Sequence, residues 1–382
     1  MGTRIKVGFV STNSICQGSQ VPILWSVLLN QYHIKIIFAH QTFKWSNETK
    51  GTAGVYCVIV GFSSEGEGRK TLYSYKTPTS LPEKNIVKNI SPYLTEGNDS
   101  FVMAQKKTIC DVPQMSFGNQ PRDGGSFVLS TDEKESLTAL EPSIEKWIHP
   151  YIGADEFIKG KERFCLWLKH ATPSDIKDSK IIYRKVEEVR VFRENSKAKT
   201  TNGYAKVPHL FAQITQPDNV DYLLIPRVSS ERRRYVPIGF MTSNIISSDA
   251  VQIIPDATLF HFGVLTSNVH MAWMRTVAGR LESRYRYSKE IVYNTFPWCE
   301  PTPEQKTKIE QTAQSILDAR GLYPSSSLAD LYDPTTMPLE LRKAHVENDK
   351  AVMKAYGFSV KDMSEADCVA RLMEMYQRLL EK

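Results

Sequence analysis

The 382-residue sequence lacks the patterns that mark several large classes of protein. Its six cysteines are scattered, without a C-x-x-C pair or a cysteine–histidine cluster, which argues against disulfide scaffolds, metal sites and redox pairs and favours a reducing cytoplasm. No apolar run approaches the roughly 18 residues of a membrane span, and the first residues are too polar for a signal peptide. Motifs of P-loop proteins, zinc proteases and serine hydrolases are also missing.

Charge of one sign is concentrated in the middle of the chain. The whole sequence has 48 Lys and Arg against 42 Asp and Glu, a net charge of +6. Lys180–Phe240 alone carries twelve basic and six acidic side chains, so the rest of the chain is neutral on balance. A second basic stretch is Met271–Glu290. This distribution is expected of a protein that binds a polyanion, although a solvated charged face explains it equally well.

Hydrophobic periodicity predicts an α/β segment at the amino-terminal end. Ile5–Val10, Ile34–Phe38 and Val55–Phe62 are predicted strands, and Gln17–Asn30 is a predicted helix. The helix between the first two strands indicates that they run parallel, whereas the polar loop after the second strand indicates antiparallel pairing with the third. Three strands are too few for an open α/β sheet, so we expect this domain to be truncated at its amino-terminal side.

The rest of the chain has a different character. A Gly-Glu-Gly sequence after the third strand is followed by extended-type residues, which favours a hairpin turn over a nucleotide-binding loop. Short strands and turns then indicate a mixed α+β domain, and amphipathic helices follow from Pro301. The predicted divisions are 1–62, a connecting region 63–150, an α+β domain 151–297 and a helical domain 298–382.

Small polar residues follow the first predicted strand. Ser11, Thr12 and Asn13 lie where an open α/β sheet places its ligand crevice, at the carboxyl end of a parallel strand. The same residue types also cap helices, and a helix is predicted next. The sequence leaves both interpretations open for Asn13.

A polar loop is predicted over His40–Thr52, and it contains Phe43 and Trp45. Exposed aromatic rings among polar groups suit stacking on a nucleic-acid base. The alternative is that both rings are tucked beneath the sheet.

Three consecutive arginines, Arg232, Arg233 and Arg234, follow a Ser-Ser turn. Guanidinium groups on a turn suit contacts with DNA phosphates, which fix position without reading sequence. A solvated charged loop explains the pattern equally well.

The segment Gly279–Ser288 reads GRLESRYRYS. As an extended strand, it would place four charged side chains on one face and Leu281 with two tyrosines on the other. The charged residues are Arg280, Glu282, Arg284 and Arg286. Arginine can pair with guanine and glutamate can accept from cytosine, so this face suits base readout. If the segment were a helix, only Glu282 and Arg286 would share a face and pair with each other.

Seven segments, in order along the chain, together resemble one family. They read STNSI-x-QG-x-Q-V, FAH-x-TFKW-x-NE-x-KG, PYIGA-x-EFI-x-G-x-ER-x-CLWL, VSSERRRY-x-PIGF, PDAT-x-x-HFG, YRYS-x-x-IVYN-x-FPW and SSLADLYDP-x-TMP. They resemble the carboxy-terminal half of MmeI-like proteins, the type IIG/IIL restriction-modification enzymes. The core of those enzymes is an adenine-specific DNA methyltransferase that uses S-adenosylmethionine. The resemblance covers essentially the whole chain.

The resemblance implies a role for each part. Residues 1–62 are similar to the last strands of a Rossmann-like class I methyltransferase sheet, with Asn13 near the active-site rim. Phe43 or Trp45 would stack on an adenine flipped out of double-stranded DNA. Residues from about 95 to 297 resemble a target recognition domain, and the tail resembles a helical end domain.

Within that recognition domain, Glu282, Arg284 and Arg286 match the region that chooses bases, and we expect Arg280 and the three consecutive arginines to contact DNA as well.

The family's cofactor loop, F-x-G-x-G, and its N-P-P-[YF] motif are both missing from this sequence. Ser91-Pro92-Tyr93 is the nearest approach to the second motif, and it lacks the Asn and one Pro. We therefore expect S-adenosylmethionine to be bound mainly by a segment outside this chain. That segment would be missing from a fragment or supplied by an upstream polypeptide, and the chain alone would be catalytically silent. The alternative is a specificity module that binds DNA without any methyltransferase.

Overall fold

The amino-terminal region forms a five-stranded sheet with one helix. The structure is a computed structural model, and it describes residues 5–45, 55–65 and 68–381. The elements of this region are β1 (Lys6–Thr12), α1 (Gln20–Asn30), β2 (Lys35–Trp45), β3 (Val55–Ser63), β4 (Lys70–Tyr75) and β5 (Pro82–Val87). Helix α1 forms because Val21, Trp25 and Leu29 recur at helical spacing and are buried against the sheet.

The strand order is β1-β3-β2-β4-β5. Both β1 and β2 pair antiparallel with β3, so they run parallel to each other with β3 between them, which agrees with the orientations predicted from sequence. The sheet nevertheless extends beyond the three predicted strands, because β4 pairs parallel with β2 and β5 pairs antiparallel with β4. Two residues of the predicted Gly-Glu-Gly turn, 66–67, lie outside the described residues.

The middle of the chain builds small sheets packed with helices. Its strands are β6 (Ser116–Phe117), β7 (Val128–Leu129), β8 (Ile148–Ile152), β9 (Phe164–Leu166), β10 (Tyr222–Pro226), β11 (Val228–Ser229), β12 (Gly239–Met241), β13 (Ile246–Ser247), β14 (Val251–Pro255), β15 (Gly279–Leu281) and β16 (Arg284–Arg286). They form sheets ordered β12-β10-β14-β6, β13-β8-β9-β7 and β11-β16-β15. The fully buried run of β10 explains why this strand lies inside its sheet.

Helices fill the rest of the middle region and the carboxy-terminal end. The middle helices are α2 (Thr131–Leu140), α3 (Ala154–Lys159), α4 (Pro173–Asp178), α5 (Lys180–Glu194), α6 (Lys199–Gly203), α7 (Leu259–Leu265) and α8 (Asn268–Val277). The terminal helices are α9 (Pro303–Gly321), α10 (Leu328–Leu331), α11 (Leu339–Ala355) and α12 (Glu365–Leu380). Capping boxes at Thr302 and Ser364 start α9 and α12.

One apolar core joins the three regions. It includes Trp25 below the first sheet, Trp273 on α8 and Tyr376 on α12, each of them almost fully buried. A second core, around Phe127 and Phe211, lies within the middle region. None of the helices in the described ranges has the length and apolar character that a bilayer crossing requires. The arrangement of the shared core fixes the first sheet, α8 and the terminal helices around the site described next.

Candidate nucleic-acid interface

A hairpin formed by β15 and β16, the 279–286 hairpin, presents charged side chains at its tip. Leu281 pairs directly with Arg284, so the turn consists of Glu282 and Ser283. Glu282 has a φ of 60°, a left-handed conformation that costs a non-glycine residue about 1 kcal/mol. Its Oε2 accepts a hydrogen bond from Arg284 Nη2 at 3.0 Å, and the two side chains are 73% and 45% exposed. The tip therefore displays an acceptor beside a donor.

Arg280 does not share the face of the other charged residues of this hairpin. It pairs directly with Tyr285, and directly paired residues lie on the same face of a sheet. Its guanidinium lies 3.7 Å from the centroid of the Tyr285 ring and donates to the carbonyl oxygens of Arg275 and Ser283. The prediction of a single charged face is therefore wrong for Arg280, because the turn reverses the chain between it and β16.

The base of the hairpin is buried. Arg284 and Arg286 are exposed, whereas Tyr285 between them and Tyr287 after them are buried, as predicted. The Tyr287 hydroxyl lies 2.9 Å from His270 Nε2, and burial lowers the pKa of His270 to about 3. The neutral imidazole of His270 thus contacts the buried face of the segment through Tyr287. The same alternation that buries the tyrosines keeps the two arginines in solvent.

Leu281 departs from the prediction that placed it with the tyrosines. It lies opposite Arg284 and is 46% exposed. An exposed apolar side chain beside two arginines gives the tip a patch suited to a thymine methyl group.

The basic stretch over Lys180–Phe240 is not one uniform polyanion-binding surface. Arg193 is fully buried, and its guanidinium donates to five backbone carbonyl oxygens. Arg190 on the same helix pairs with Glu187 at 2.7 Å and Glu194 at 2.8 Å. The arginines of α5 are therefore either buried or paired with carboxylates, Arg184 lying 3.7 Å from Glu188, and a second group of arginines lies outside this helix.

This second group lies around an open cleft of about 510 Å³ between the loop after β11 and the helices α8, α11 and α12. We call it the arginine cleft. Its arginines are Arg232, Arg233, Arg234, Arg275 and Arg342. Glu231 and Glu365 are the carboxylates of the lining, and tyrosines and methionines form much of the remaining wall. A cleft with this excess of guanidinium groups attracts anions.

The three consecutive arginines are not equivalent. Arg232 Nη2 lies 3.4 Å from Asp333 Oδ2, and Arg234 Nη2 lies 3.8 Å from Asp349 Oδ2. The Arg233 side chain is half-buried and has no hydrogen-bond or ion-pair partner in the part of the chain that the structure describes. Burial lowers the pKa of Arg233, since desolvation disfavours the cation more than the nearby Asp333 carboxylate favours it. Arg233 is thus the member of the three with the least compensated charge.

Asp349 lies under the cleft and is almost completely buried. Burial raises the pKa of its carboxyl to about 6, although Tyr235 Oη donates to it at 2.6 Å and the Asn268 backbone N–H donates at 2.8 Å. Nearby Arg234 favours the ionised form. The charge that opposes Arg234 is therefore titratable near neutral pH.

Arg275 connects the arginine cleft with the 279–286 hairpin. Its guanidinium donates to both carboxylate oxygens of Glu365, at 2.7 and 2.9 Å, and to the carbonyl oxygen of Arg234 at 3.1 Å. Its own carbonyl oxygen accepts from Arg280. Arg275 lies in the basic stretch Met271–Glu290, and nothing in the local sequence shows that it spans three elements.

Phe43 and Trp45 lie at the end of β2, not in a loop as predicted. The predicted loop residues 46–52 lie outside the described residues. A β-bulge between His40 and Phe43 shifts the register, so the side chains of His40 and Phe43 lie on the same face of the sheet. The Phe43 ring stacks on Tyr75 with centroids 5.5 Å apart and lies 5.9 Å from Trp45, while His40 Nδ1 lies 2.8 Å from the Tyr75 hydroxyl. Trp45, 46% exposed, is the more accessible ring.

Asn13 lies on the other side of this sheet from the aromatic cluster. It is buried, and its Nδ2 donates to Thr42 Oγ1 at 3.4 Å. Helix α1 begins only at Gln20, after Ser19, so the capping interpretation of Asn13 is wrong for this helix. Two consecutive residues of β3 show that Asn13 and the aromatic cluster lie on opposite sides of the sheet. Val58 lines a cavity together with Thr42, whereas Cys57, on the other face of β3, pairs with Phe43.

That cavity, of about 260 Å³, lies between the first sheet and the 279–286 hairpin. Gln41 and Thr42 line it from β2, and Arg275 and Arg280 line it from the middle region. The backbones also meet here, since a Cβ on Gly18 would lie only 3.1 Å from the Cα atom of Gly279. Gly18 has a φ of 52°, so its glycine serves both the turn and the close approach.

The described residues do not form a complete site for a nucleoside cofactor. Such a site on a Rossmann-like sheet needs a glycine-containing loop open to the ligand and an acidic side chain for the ribose. The loop after β1 instead packs on Gly279, and Glu365 in the adjoining cavity is engaged by Arg275. These residues by themselves therefore do not fit S-adenosylmethionine. Within residues 5–45, 55–65 and 68–381, no group of three His, Cys, Asp or Glu side chains is placed to hold a metal ion.

Comparison with known proteins assigns all three regions to one family. The family described as MmeI, target recognition domain, matches residues 96–300. The MmeI DNA-methyltransferase domain matches residues 1–74, and the MmeI C-terminal domain matches residues 301–382. The chain therefore belongs to the MmeI family, as the resemblance of its motifs indicated. Its fold, part of a methyltransferase α/β sheet followed by a mixed region and a helical end, agrees with the predicted fold class.

Two individual proteins show the same relationship. DNA methyltransferase A of Bacillus subtilis (strain 168) is 39% identical over 381 residues, which are 100% of this chain and 42% of that protein. The solved structure of the type IIL restriction-modification enzyme MmeI in complex with DNA is 47% identical and superimposes with a TM-score of 0.92. That match covers 99% of this chain and 50% of the solved one. The chain thus spans about half the length of either protein.

Proposed function

We propose that the chain is the DNA-recognition part of a site-specific adenine-N6 DNA methyltransferase. The observation that carries the proposal is the 279–286 hairpin, whose exposed Glu282 and Arg284 lie beside an arginine cleft. A two-stranded ribbon fits the major groove, where a glutamate can accept from cytosine and an arginine can pair with guanine. The likeness to MmeI, whose structure was solved in complex with DNA, also supports a role in DNA binding.

In this proposal the 279–286 hairpin and the arginine cleft have different roles in DNA binding. Glu282, Arg284 and Arg286 read base edges, and Arg233, helped by Arg232 and Arg234, contacts phosphates. Arg280 was expected from sequence to bind DNA directly. Its stacking on Tyr285 and its bonds to two carbonyl oxygens favour a bracing role, in which it fixes the hairpin that does the reading.

Phe43 and Trp45 are proposed to stack on an adenine extruded from double-stranded DNA. Their cluster supports this because Phe43 stacks on Tyr75 and Trp45 lies against Phe43, so the rings need little ordering when a base arrives. Asn13, on the opposite face, is proposed to shape the adjoining cavity through Thr42. Trp45 offers the larger exposed surface and Phe43 the more rigid one.

Methyl transfer from S-adenosylmethionine is proposed to need the part of the methyltransferase domain that these residues lack. That part would come from an upstream polypeptide or from the same longer chain, and we expect the cytoplasm as its location. Alone, the present chain is expected to bind DNA and to methylate none.

Selection of bound duplexes from a random library tests the proposal. Purified chain at moderate salt is expected to enrich one sequence motif over competitor DNA. Fluorescence anisotropy on the enriched duplex then gives its affinity and salt dependence, which reports the number of phosphate contacts. Absence of any enrichment over random duplex would refute the recognition role.

A second candidate is a stand-alone specificity module, favoured by the poor fit of the described residues to S-adenosylmethionine. Incubation with labelled S-adenosylmethionine and the enriched duplex, with and without the preceding part of a related methyltransferase, separates the two. Methylation in the combined sample supports the methyltransferase role, and methylation in neither sample supports the module.

A further inference from the structure

The 279–286 hairpin is too short to fix its own position. β15 and β16 are three residues long each, and an isolated two-stranded hairpin is marginally stable at best in water. β11 pairs with β16 on one side, so β15 is the outer strand of its sheet. Glu282 in the turn also has a left-handed backbone conformation. The outer strand and the turn therefore depend on contacts outside the sheet for a defined position.

Arg280 supplies such a contact from the outer strand. Its Nη2 donates to the Arg275 carbonyl oxygen at 3.1 Å, and its Nη1 donates to the Ser283 carbonyl oxygen at 3.4 Å. Helix α8 ends at Val277, so the Arg275 carbonyl is one of the last four of the helix, which have no donor within the helix. One guanidinium thus joins the turn of the hairpin to the end of α8.

Arg275 in turn joins the end of α8 to the carboxy-terminal helices. Its Nε and Nη2 donate to the two carboxylate oxygens of Glu365, the first residue of α12, at 2.7 and 2.9 Å. Two parallel bonds between a guanidinium and a carboxylate fix their relative orientation, which a point charge does not. Trp273 and Tyr376, with ring centroids 5.9 Å apart, pack the same two helices together. A continuous path of bonds therefore runs from α12 to the turn of the hairpin.

We propose that Arg275 and Glu365 are positioning residues for base choice. They hold the hairpin in place through Arg280 and contact no base themselves. The inference rests on the proposed function, in which the tip of the hairpin reads base edges, and it assigns part of the sequence preference to the carboxy-terminal helices. A bidentate pair between an arginine and a guanine needs its partners within about 0.5 Å of the productive geometry, so a small displacement of the turn weakens it.

The geometry favours positioning over direct DNA contact for Arg275. Its side chain is 22% exposed, whereas that of Arg284 at the tip is 45% exposed. Each of its three guanidinium nitrogens donates a hydrogen bond, two of them to Glu365 and one to the Arg234 carbonyl oxygen. Contact with a phosphate or a base would compete with these bonds.

The test measures sequence preference as well as affinity. Anisotropy titrations give the ratio of the affinities for the enriched and random duplexes, and selection from the random library shows which positions lose preference. Arg275→Lys keeps the positive charge but cannot form the two-bond contact with Glu365. We expect the ratio to fall about fivefold, mostly through the enriched duplex, and preference to be lost at the positions that Arg284→Ala relaxes.

Glu365→Gln disrupts the same contact from the side of α12. Glu231→Gln is the matched control, because Glu231 is the other carboxylate that lines the arginine cleft and it forms no ion pair with any residue in the described ranges. Both changes remove one negative charge from the cleft, so both should raise affinity for random duplex. Only Glu365→Gln should also lower the ratio of the two affinities.

A double variant separates positioning from general destabilisation. When Arg284→Ala is already present, addition of Arg275→Lys should change the ratio by less than about twofold, because the contact that it positions is gone. Destabilisation of the fold would instead lower the melting temperature, which is measured for every variant, and would act equally with and without Arg284→Ala.

Three results would overturn the inference. They are a ratio that Arg275→Lys leaves unchanged, an equal loss of affinity for enriched and random duplexes, and full additivity of Arg275→Lys with Arg284→Ala. If the unchanged chain enriches no motif, the proposed function fails and the inference fails with it. If Arg284→Ala lowers the ratio while Arg275→Lys does not, the reading role stands and only the positioning role is rejected.

Discussion

The 279–286 hairpin and the arginine cleft use the same side chain in two different settings. In the hairpin, Arg284 and Arg286 are exposed at the end of a ribbon whose base is locked by buried tyrosines. In the cleft, Arg232 and Arg234 already face Asp333 and Asp349, and of these three consecutive arginines only Arg233 has no ion pair within the described part of the chain. Local sequence, with arginine clusters in both places, does not distinguish them.

Exposure alone does not separate the two regions, because Arg232 and Arg234, at 65% and 64%, are more exposed than Arg284, at 45%; the groups around each arginine differ instead. A rigid, exposed guanidinium beside a carboxylate can meet the donor and acceptor pattern of one base pair, so it contributes to choice among sequences. A guanidinium in a cleft meets phosphate, which every sequence has. We therefore expect substitutions in the two regions to separate specificity from affinity.

The largest expected effect is at the hairpin tip. Arg284→Ala should lower affinity for the enriched duplex by about 1–3 kcal/mol, because one pairing with a base edge is lost. Binding to random duplex should change little. Anisotropy titrations on the enriched and random duplexes measure both values, and an equal loss on the two duplexes would reject the reading role of Arg284.

An effect of similar size is a dependence on pH in the cleft. The pKa of Asp349 is raised from 3.8 to about 6, so between those values the folded protein binds a proton that the unfolded chain has released. Stability contributed by the neutral carboxyl is therefore lost as pH rises from about 4 to 6. The loss amounts to roughly 2–3 kcal/mol at 1.36 kcal/mol per pKa unit.

Asp349→Asn should flatten that part of the stability curve, measured by urea unfolding at a series of pH values. Protonation of Asp349 also frees Arg234, so affinity for random duplex should rise as pH falls through 6 in the unchanged chain more than in the variant. Arg232→Ala, which leaves this pair intact, is the control. Parallel pH curves for the unchanged chain and Asp349→Asn would contradict the assignment.

A smaller and more uniform effect is expected at Arg233. Arg233→Ala should weaken binding to enriched and random duplexes alike by about tenfold and reduce the salt slope by about one, as loss of one phosphate contact predicts. Arg232→Ala should have less effect because Asp333 already compensates its charge. The comparison fails if Arg233→Ala alters the preferred sequence.

The smallest effect is on the strain at the turn. Glu282→Gly should raise the free energy of unfolding by up to about 1 kcal/mol, because glycine adopts a positive φ without strain. The same change should reduce preference for the enriched duplex. A stabilised protein with unchanged preference would show that Glu282 takes no part in reading, and Ser283→Gly provides the matched control in the same turn.

Much of the candidate interface follows from local pattern, and the exceptions have identifiable causes. Alternation along GRLESRYRYS predicts the buried Tyr285 and the exposed Arg284, because a strand has a two-residue period. It misplaces Arg280, since the reversal at the turn changes which residues share a face. Phe43 and Trp45 were predicted in a loop because a β-bulge leaves no clear signal in residue type.

The sequence by itself determined most kinds of element and the family, and it supplied the candidates for DNA contact, because periodicity, motif order and charge are local properties. Tertiary structure decided which cations are free. Arg193 is buried among carbonyl oxygens, Arg275 bridges three elements, and Arg233 alone of three neighbours forms no ion pair within 4 Å among the described residues. These outcomes depend on groups up to about 100 residues away in the chain, where no local pattern can specify the distance between two charges.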